Sequence, residues 1–165
     1  MNALCRCAVV LLALALCAPP QATSETREEW VKIGERIHGG FGTFVPLGIR
    51  IGLDALERLG AKPREVSVLY LGGAKSPCPC IADGVMLATM ASPGQGTLTM
   101  STDTAPRDAL AVVLIRHRKT GQALRYTIGE AWLPVLLGWN TAYDPPGRYD
   151  VIMRTDHLFS VQAEP

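Results

Sequence analysis

The sequence predicts an α+β fold: a single domain with a mainly antiparallel sheet packed against N-terminal and central helices. Three observations lead there. Apolar residues first recur at helical spacing, over Arg27–Ile37 and again over Phe41–Gly60. Strand-like runs rich in branched and aromatic residues then appear, Glu65–Leu71 and Asp108–Arg118. The second of these turns back through Lys119-Thr120-Gly121-Gln122 into Ala123–Ile128, which makes a hairpin and so an antiparallel pair.

The first helix has a start signal. Thr26-Arg27-Glu28-Glu29 is a capping-box pattern, with Thr26 as N-cap and Glu29 three residues on. Trp30, Ile33 and Ile37 give its apolar stripe, and Gly39-Gly40 ends it. His38 lies at that end, where an imidazole suits the carbonyls and the dipole. In the second helix Phe44, Leu47, Ile51, Leu53, Ala55, Leu56 and Leu59 suit burial over much of the surface. Gly48 and Gly52 share one face, which the sheet or a second copy of the chain should cover. Arg50, Asp54, Glu57 and Arg58 fit a solvated face, and Gly60-Ala61-Lys62-Pro63 is a stop.

After the strand at Glu65–Leu71, Ile81–Ala91 has a helical pattern. Ser92-Pro93-Gly94-Gln95-Gly96 is a turn, in which G-x-G alone is a weak phosphate signal. Thr97–Thr102 is a strand candidate. His117, between Arg116 and Arg118, belongs at the surface. Gly129–Trp139 reads as helix and Thr141–Tyr149, with Asp144-Pro145-Pro146-Gly147, as loop. Asp150–Arg154 fits a helical turn, and Leu158–Gln162 a closing strand.

The expected division of the 165 residues is a secretory signal over 1–23 and one domain over 24–165. Arg6 precedes the apolar run Ala8–Ala18, which is too short to span a bilayer, and small residues follow as far as Thr23. The expected location is periplasmic or secreted, with no membrane association after cleavage. Of the chain's 16 basic residues Arg6 leaves with the signal, so the domain balances its 15 acidic residues. A neutral chain without a basic block is not built to neutralise phosphates, which argues against nucleic acid.

Chemistry concentrates in Lys75-Ser76-Pro77-Cys78-Pro79-Cys80-Ile81-Ala82-Asp83, which holds both cysteines left after cleavage. A C-x-C disulfide closes a small ring with a proline inside, so the pair is expected as thiols rather than as a structural bridge. Cys80 falls at a helix start, where free amides and the dipole favour thiolate. Asp83, one turn on, is placed to cap. His38 on its glycine-flanked turn is the natural second ligand, and imidazole with thiolate suits a transition metal, zinc first. The candidate metal ligands are His38, Cys78 and Cys80, and the ligand-pocket candidates are Gly39, Gly40, Asp83, Gly94 and Gly96. No nucleophile–base–acid set stands out, so no catalytic residue is assigned. Three functions stay open: a binding or accessory protein holding a metal or small molecule, a thiol redox protein using Cys78 and Cys80, and a metal-free interaction module.

Several of these stretches together resemble a known family. His38-Gly39-Gly40-Phe41-Gly42 running into Gly48-Ile49-Arg50-Ile51-Gly52 is similar to the opening of the E-type subunit family of formylmethanofuran dehydrogenase. Leu56-Glu57-Arg58-Leu59-Gly60, Cys80-Ile81-Ala82-Asp83-Gly84, Pro93-Gly94-Gln95-Gly96-Thr97-Leu98, the hairpin at Arg118–Arg125 and Leu158–Val161 resemble later motifs in the same order. The resemblance implies an α+β domain, often paired as a homodimer, with a metal held by the opening motif and the later cysteine. It makes His38 and Cys80 ligand positions. The second motif histidine is Gly40 here and the motif cysteine is Gly42, so Cys78 is the extra thiol that could stand in.

Overall fold

The computed structural model of the protein describes residues 25–165. The proposed signal segment lies outside the described residues. Helix α1 (Arg27–His38) opens on the expected capping box: Thr26 Oγ1 accepts from Glu29 N, and Glu29 Oε2 accepts from Thr26 N at 2.7 Å. It closes on Gly39 at φ 85°, a left-handed position that glycine takes without a Cβ clash. Helix α2 (Phe44–Leu59) is the most buried helix and ends at Gly60.

Strand β1 (Val66–Gly72) follows, then helix α3 (Cys80–Thr89) and the short strand β2 (Leu98–Met100), parallel to β1. Strands β3 (Ala109–His117) and β4 (Ala123–Gly129) form the hairpin, with Ile115 opposite Leu124. Helices α4 (Leu133–Ala142) and α5 (Pro145–Arg154) lead to strand β5 (Ser160–Glu164). The sheet order is β2-β1-β3-β4-β5, and every pairing but β1–β2 is antiparallel. This is the α+β domain that the sequence predicts.

The main core joins α2 and α3 to the sheet through Leu47, Ile51, Val68, Ile81, Val85, Val113, Ile115, Tyr126 and Ile128. The glycine face of α2 is covered neither by the sheet nor by a second chain but by α3. A Cβ on Gly48 would lie 2.1 Å from Ile81 O, and one on Gly84 would lie 2.0 Å from Val45 O. Backbone therefore rests on backbone at this crossing, which only glycine on both helices permits.

Three further readings change. The stretch expected as loop at Thr141–Tyr149 is mostly helical, because Asp144 caps α5 by accepting from Gly147 N at 2.9 Å and Pro145 suits the first turn. His117 is not at the surface: it is 7% exposed, and its Nδ1 accepts from Lys119 N at 3.1 Å. Arg50 and Asp54 are not merely solvated charges. Arg50 Nη1 donates to Ile152 O at 2.6 Å and to Thr155 O, and Tyr126 Oη donates to Asp54 Oδ2 at 2.6 Å.

The tyrosines give the fold an alkaline limit. Burial first, and then the bond to Asp54, drive the Tyr126 phenol far above its ordinary range, and burial also raises Tyr70 and Tyr149. Unfolded phenols ionise near pH ~10. Below that pH the contribution is fully present. Above it the unfolded chain releases protons that the folded chain keeps, so stability falls as pH rises. Urea unfolding between pH ~8 and ~11, either side of that value, should show this decline. Tyr126→Phe should make it shallower, Tyr70 and Tyr149 keeping the rest, while costing about 1 kcal/mol near neutrality. An equally steep decline in the variant would contradict the assignment.

Candidate functional site

The site forms where the segment after β1 enters α3. Gly73 lets that segment leave the sheet, since a Cβ there would lie 2.1 Å from Ala109 O. Ser76 Oγ then donates to Cys78 O at 3.0 Å and shapes the turn. Pro79 is the N-cap of α3 and Cys80 its first residue. No side chain caps this helix, and of its first amides Ala82 N donates to Pro79 O at 2.8 Å.

Cys78 and Cys80 are joined by a disulfide, with Cα atoms 5.3 Å apart. This corrects the expectation of two thiols. Pro79 bends the chain at φ −79° and ψ 21°, which brings the flanking residues close enough to bridge. Both cysteines pack on the main core. Cys80 also packs against the second apolar cluster, around Trp30, Phe41 and Val45.

His38 and Asp83 meet here as well. His38 Nδ1 lies 2.7 Å from Asp83 Oδ2. A carboxylate only accepts, so Nδ1 carries the hydrogen and Nε2 keeps its lone pair when the ring is neutral. Asp83 therefore does not cap α3, and His38 is turned from its own helix end toward the first turn of α3. The structure thus brings His38, Cys78, Cys80 and Asp83 to one end of α3. Gly39 and Gly40 hold the turn behind His38, and neither would place a Cβ within 4 Å of another group. Gly94 and Gly96 belong to a short 3-10 turn capped by Ser92, ahead of β2, and they face open space. They form no part of this constellation.

A groove of about 450 Å³ opens beside Cys78. It is lined by Tyr70, Gly72, Gly73 and Ser76 and by Ser101, Thr102 and Thr104 of the neighbouring segment, which bonds back to β1 through Ser101 N and Tyr70 O. Tyr70 is the residue that sequence reasoning missed. It is 2% exposed, and its Oη is buried with no hydrogen-bond partner. Ser76 stands beside it and gives its hydroxyl hydrogen to Cys78 O, but the geometry makes no hydrogen bond between the serine oxygen and the phenol. In the sequence Tyr70 is one more strand aromatic. Its nearness to Gly72-Gly73 and the cysteines was the available signal.

The family resemblance implies a transition metal, and the donor chemistry tests that. A soft ion at this place needs thiolate, but both sulfurs are spent in the disulfide and His38 Nδ1 is held by Asp83. Among the described residues no group of three or more His, Cys, Asp or Glu side chains is disposed to hold an ion. In the disulfide form the residues do not fit a metal.

The fold and this site define a small α+β domain with a C-x-C disulfide at a helix start and a histidine–carboxylate pair beside it. The family model described as FmdE, Molybdenum formylmethanofuran dehydrogenase operon, matches residues 37–150, well over half of the sequence, and the chain belongs to this family. The match spans His38, both cysteines and Asp83. No curated protein matches the chain.

Proposed function

We propose that this FmdE-family chain is a binding or accessory domain whose working element is the Cys78–Cys80 couple, passing between disulfide and dithiol. The observation that carries this reading is the bonded pair itself, at the uncapped start of α3 and on the edge of a groove. Reduction would leave Cys80 as a thiolate at the first turn of a helix, where amides and dipole stabilise it. The bridge encloses one residue, so it restrains the unfolded chain little. A cross-link of this size suits a cycling couple better than a staple. The oxidised pair also suits the exported location expected from the N-terminal sequence, since disulfides persist in oxidising compartments.

The test is equilibration of the oxidised protein in buffers of reduced and oxidised dithiothreitol, followed by acid quenching and thiol alkylation. The expected result is a single two-electron transition between zero and two alkylated thiols, absent in Cys78→Ser and in Cys80→Ser. Reduction should lower stability by only about 1–2 kcal/mol, and the melting temperature by about 5 °C. A pair that stays as thiols at every oxidant ratio, or that is reduced only on unfolding, would contradict the reading.

The metal reading attaches to the dithiol state. Its support is that His38 bonds Asp83 in the first turn of α3, the helix that Cys80 opens. Reduction would free two sulfurs, which with His38 Nε2 are donors of the kind zinc takes, though the three side chains would have to move together to share an ion. Titration of zinc or cobalt into both redox states should show uptake by the reduced protein alone, weakened in His38→Ala and lost in Cys80→Ser. Equal weak uptake by all forms would remove the metal.

A further inference from the structure

The groove beside the disulfide holds a buried phenol with no partner, which the disulfide–dithiol couple does not use. An unpaired buried hydroxyl costs free energy unless something satisfies it. Tyr70 Oη is such a group, and Tyr70 lines the same groove as Cys78. Two other features fit a small polar guest. The wall at Gly72 has no side chain, and a Cβ there would come only to 3.9 Å from Tyr70 Oη. The lining also includes the hydroxyl residues Ser101, Thr102 and Thr104. A volume of about 450 Å³ falls within the range of small-molecule pockets.

The sulfurs are not equivalent with respect to this groove. Cys78 lines it, whereas Cys80 is the first residue of α3 and packs against both apolar clusters. Thiol–disulfide exchange needs an accessible sulfur to attack and a stabilised sulfur to leave. Cys78 meets the first need and Cys80 the second.

We propose that the groove takes a low-molecular-weight thiol, whose polar groups are bound by Tyr70 Oη and the hydroxyl residues of the lining, and whose sulfur attacks Cys78. This rests on the redox reading. In the forward step the incoming thiolate forms a bond to Cys78 Sγ, the Cys78–Cys80 bond breaks, and its electron pair leaves on Cys80 Sγ. A second thiolate attacks the sulfur of the bound thiol. It releases the small-molecule disulfide and leaves Cys78 as thiolate, so two thiols are oxidised as one protein disulfide is reduced. Run in reverse, the same steps use a small-molecule disulfide to re-form the bridge. The sulfur that the helix start favours as thiolate, Cys80, is thus the one that leaves, and Cys78 is the one attacked.

Glutathione is the probe. The oxidised chain is mixed with glutathione, the released thiol is trapped with iodoacetamide, and the peptide over residues 75–83 is mapped by mass. The expected product carries glutathione on Cys78 and the alkyl group on Cys80. Tyr70→Phe should slow the reaction about 5-fold, the worth of one neutral hydrogen bond. Its melting temperature should not fall, because the lost hydroxyl had no partner. Reduction by a phosphine, which needs no hydrogen bond from the phenol, should keep its wild-type rate. Gly72→Val, which narrows the groove without a backbone clash, should likewise slow glutathione and not the phosphine. Glutathione on Cys80, or equal glutathione rates in wild type and both variants, would overturn the proposal while leaving the dithiol–disulfide cycle standing. A folded chain whose pair the phosphine cannot reduce would overturn both.

Discussion

Replacing Gly84 with alanine should cost about 3 kcal/mol or more of folding free energy. The added Cβ would lie 2.0 Å from Val45 O, 2.8 Å from Gly48 Cα and 2.8 Å from Ile49 N. All three neighbours are backbone, so no rotamer change relieves the clash. Alanine is the better helix former by about 1 kcal/mol, and that gain is far too small to offset separation of the two most closely packed helices. The reciprocal change, Gly48→Ala, meets Ile81 O at 2.1 Å and should cost as much. Gly52 is less tightly placed, with Ala88 Cβ at 2.7 Å, so Gly52→Leu should destabilise by roughly 1–3 kcal/mol. Urea unfolding of the three variants gives the order. Because α3 carries Cys80 and Asp83 at its first turn, Gly84→Ala should also disturb the His38–Asp83 pair. A Gly84→Ala protein as stable as wild type would show that the helices do not cross this closely.

Arg50→Leu should cost about 2–4 kcal/mol. The guanidinium holds Ile152 O and Thr155 O at the end of α5, where the helix presents its negative pole. It also lies over the Phe159 ring, 5.5 Å from its centroid, on the way into β5. Leucine would fill the volume but leave both carbonyls without this donor. Arg50→Lys should recover part of the loss, because an ammonium can meet a carbonyl but cannot reproduce the planar stacking. Loss of less than about 0.5 kcal/mol in Arg50→Leu, the range of an ordinary surface change, would mean that α5 is held without it.

These two substitutions give a physical sense to Gly48-Ile49-Arg50-Ile51-Gly52. The glycines let α3 approach one side of α2, and the arginine ties α5 to another. In the sequence the glycine spacing announced a close contact but not its partner, since periodicity marks a face and does not say what covers it. The capping box at Thr26, the β3–β4 hairpin and the main strands were legible because each depends on local propensity and turn chemistry. Helix α5 was not, because Asp144-Pro145-Pro146-Gly147 suits a turn as well as a helix start. His117 looked exposed between two arginines, and only the packed strand hides it. Much the same holds for the site. The cysteine stretch and His38 stood out by residue type. The disulfide depended on how Pro79 bends the chain, and the His38–Asp83 pair depended on how α1 meets α3. The unpaired hydroxyl of Tyr70 is a property of its surroundings, and no sequence pattern encodes it.

The central claim is that Cys78 and Cys80 form a reversible disulfide in the folded chain. Its most direct test is the mass of the peptide over residues 75–83, from protein purified without reductant, quenched in acid and alkylated before and after reduction. The account predicts an unalkylated peptide two hydrogens lighter than the dithiol, carrying two alkyl groups after reduction of the folded protein. Two alkyl groups without any reductant, on protein first held in an oxidising buffer, would contradict it.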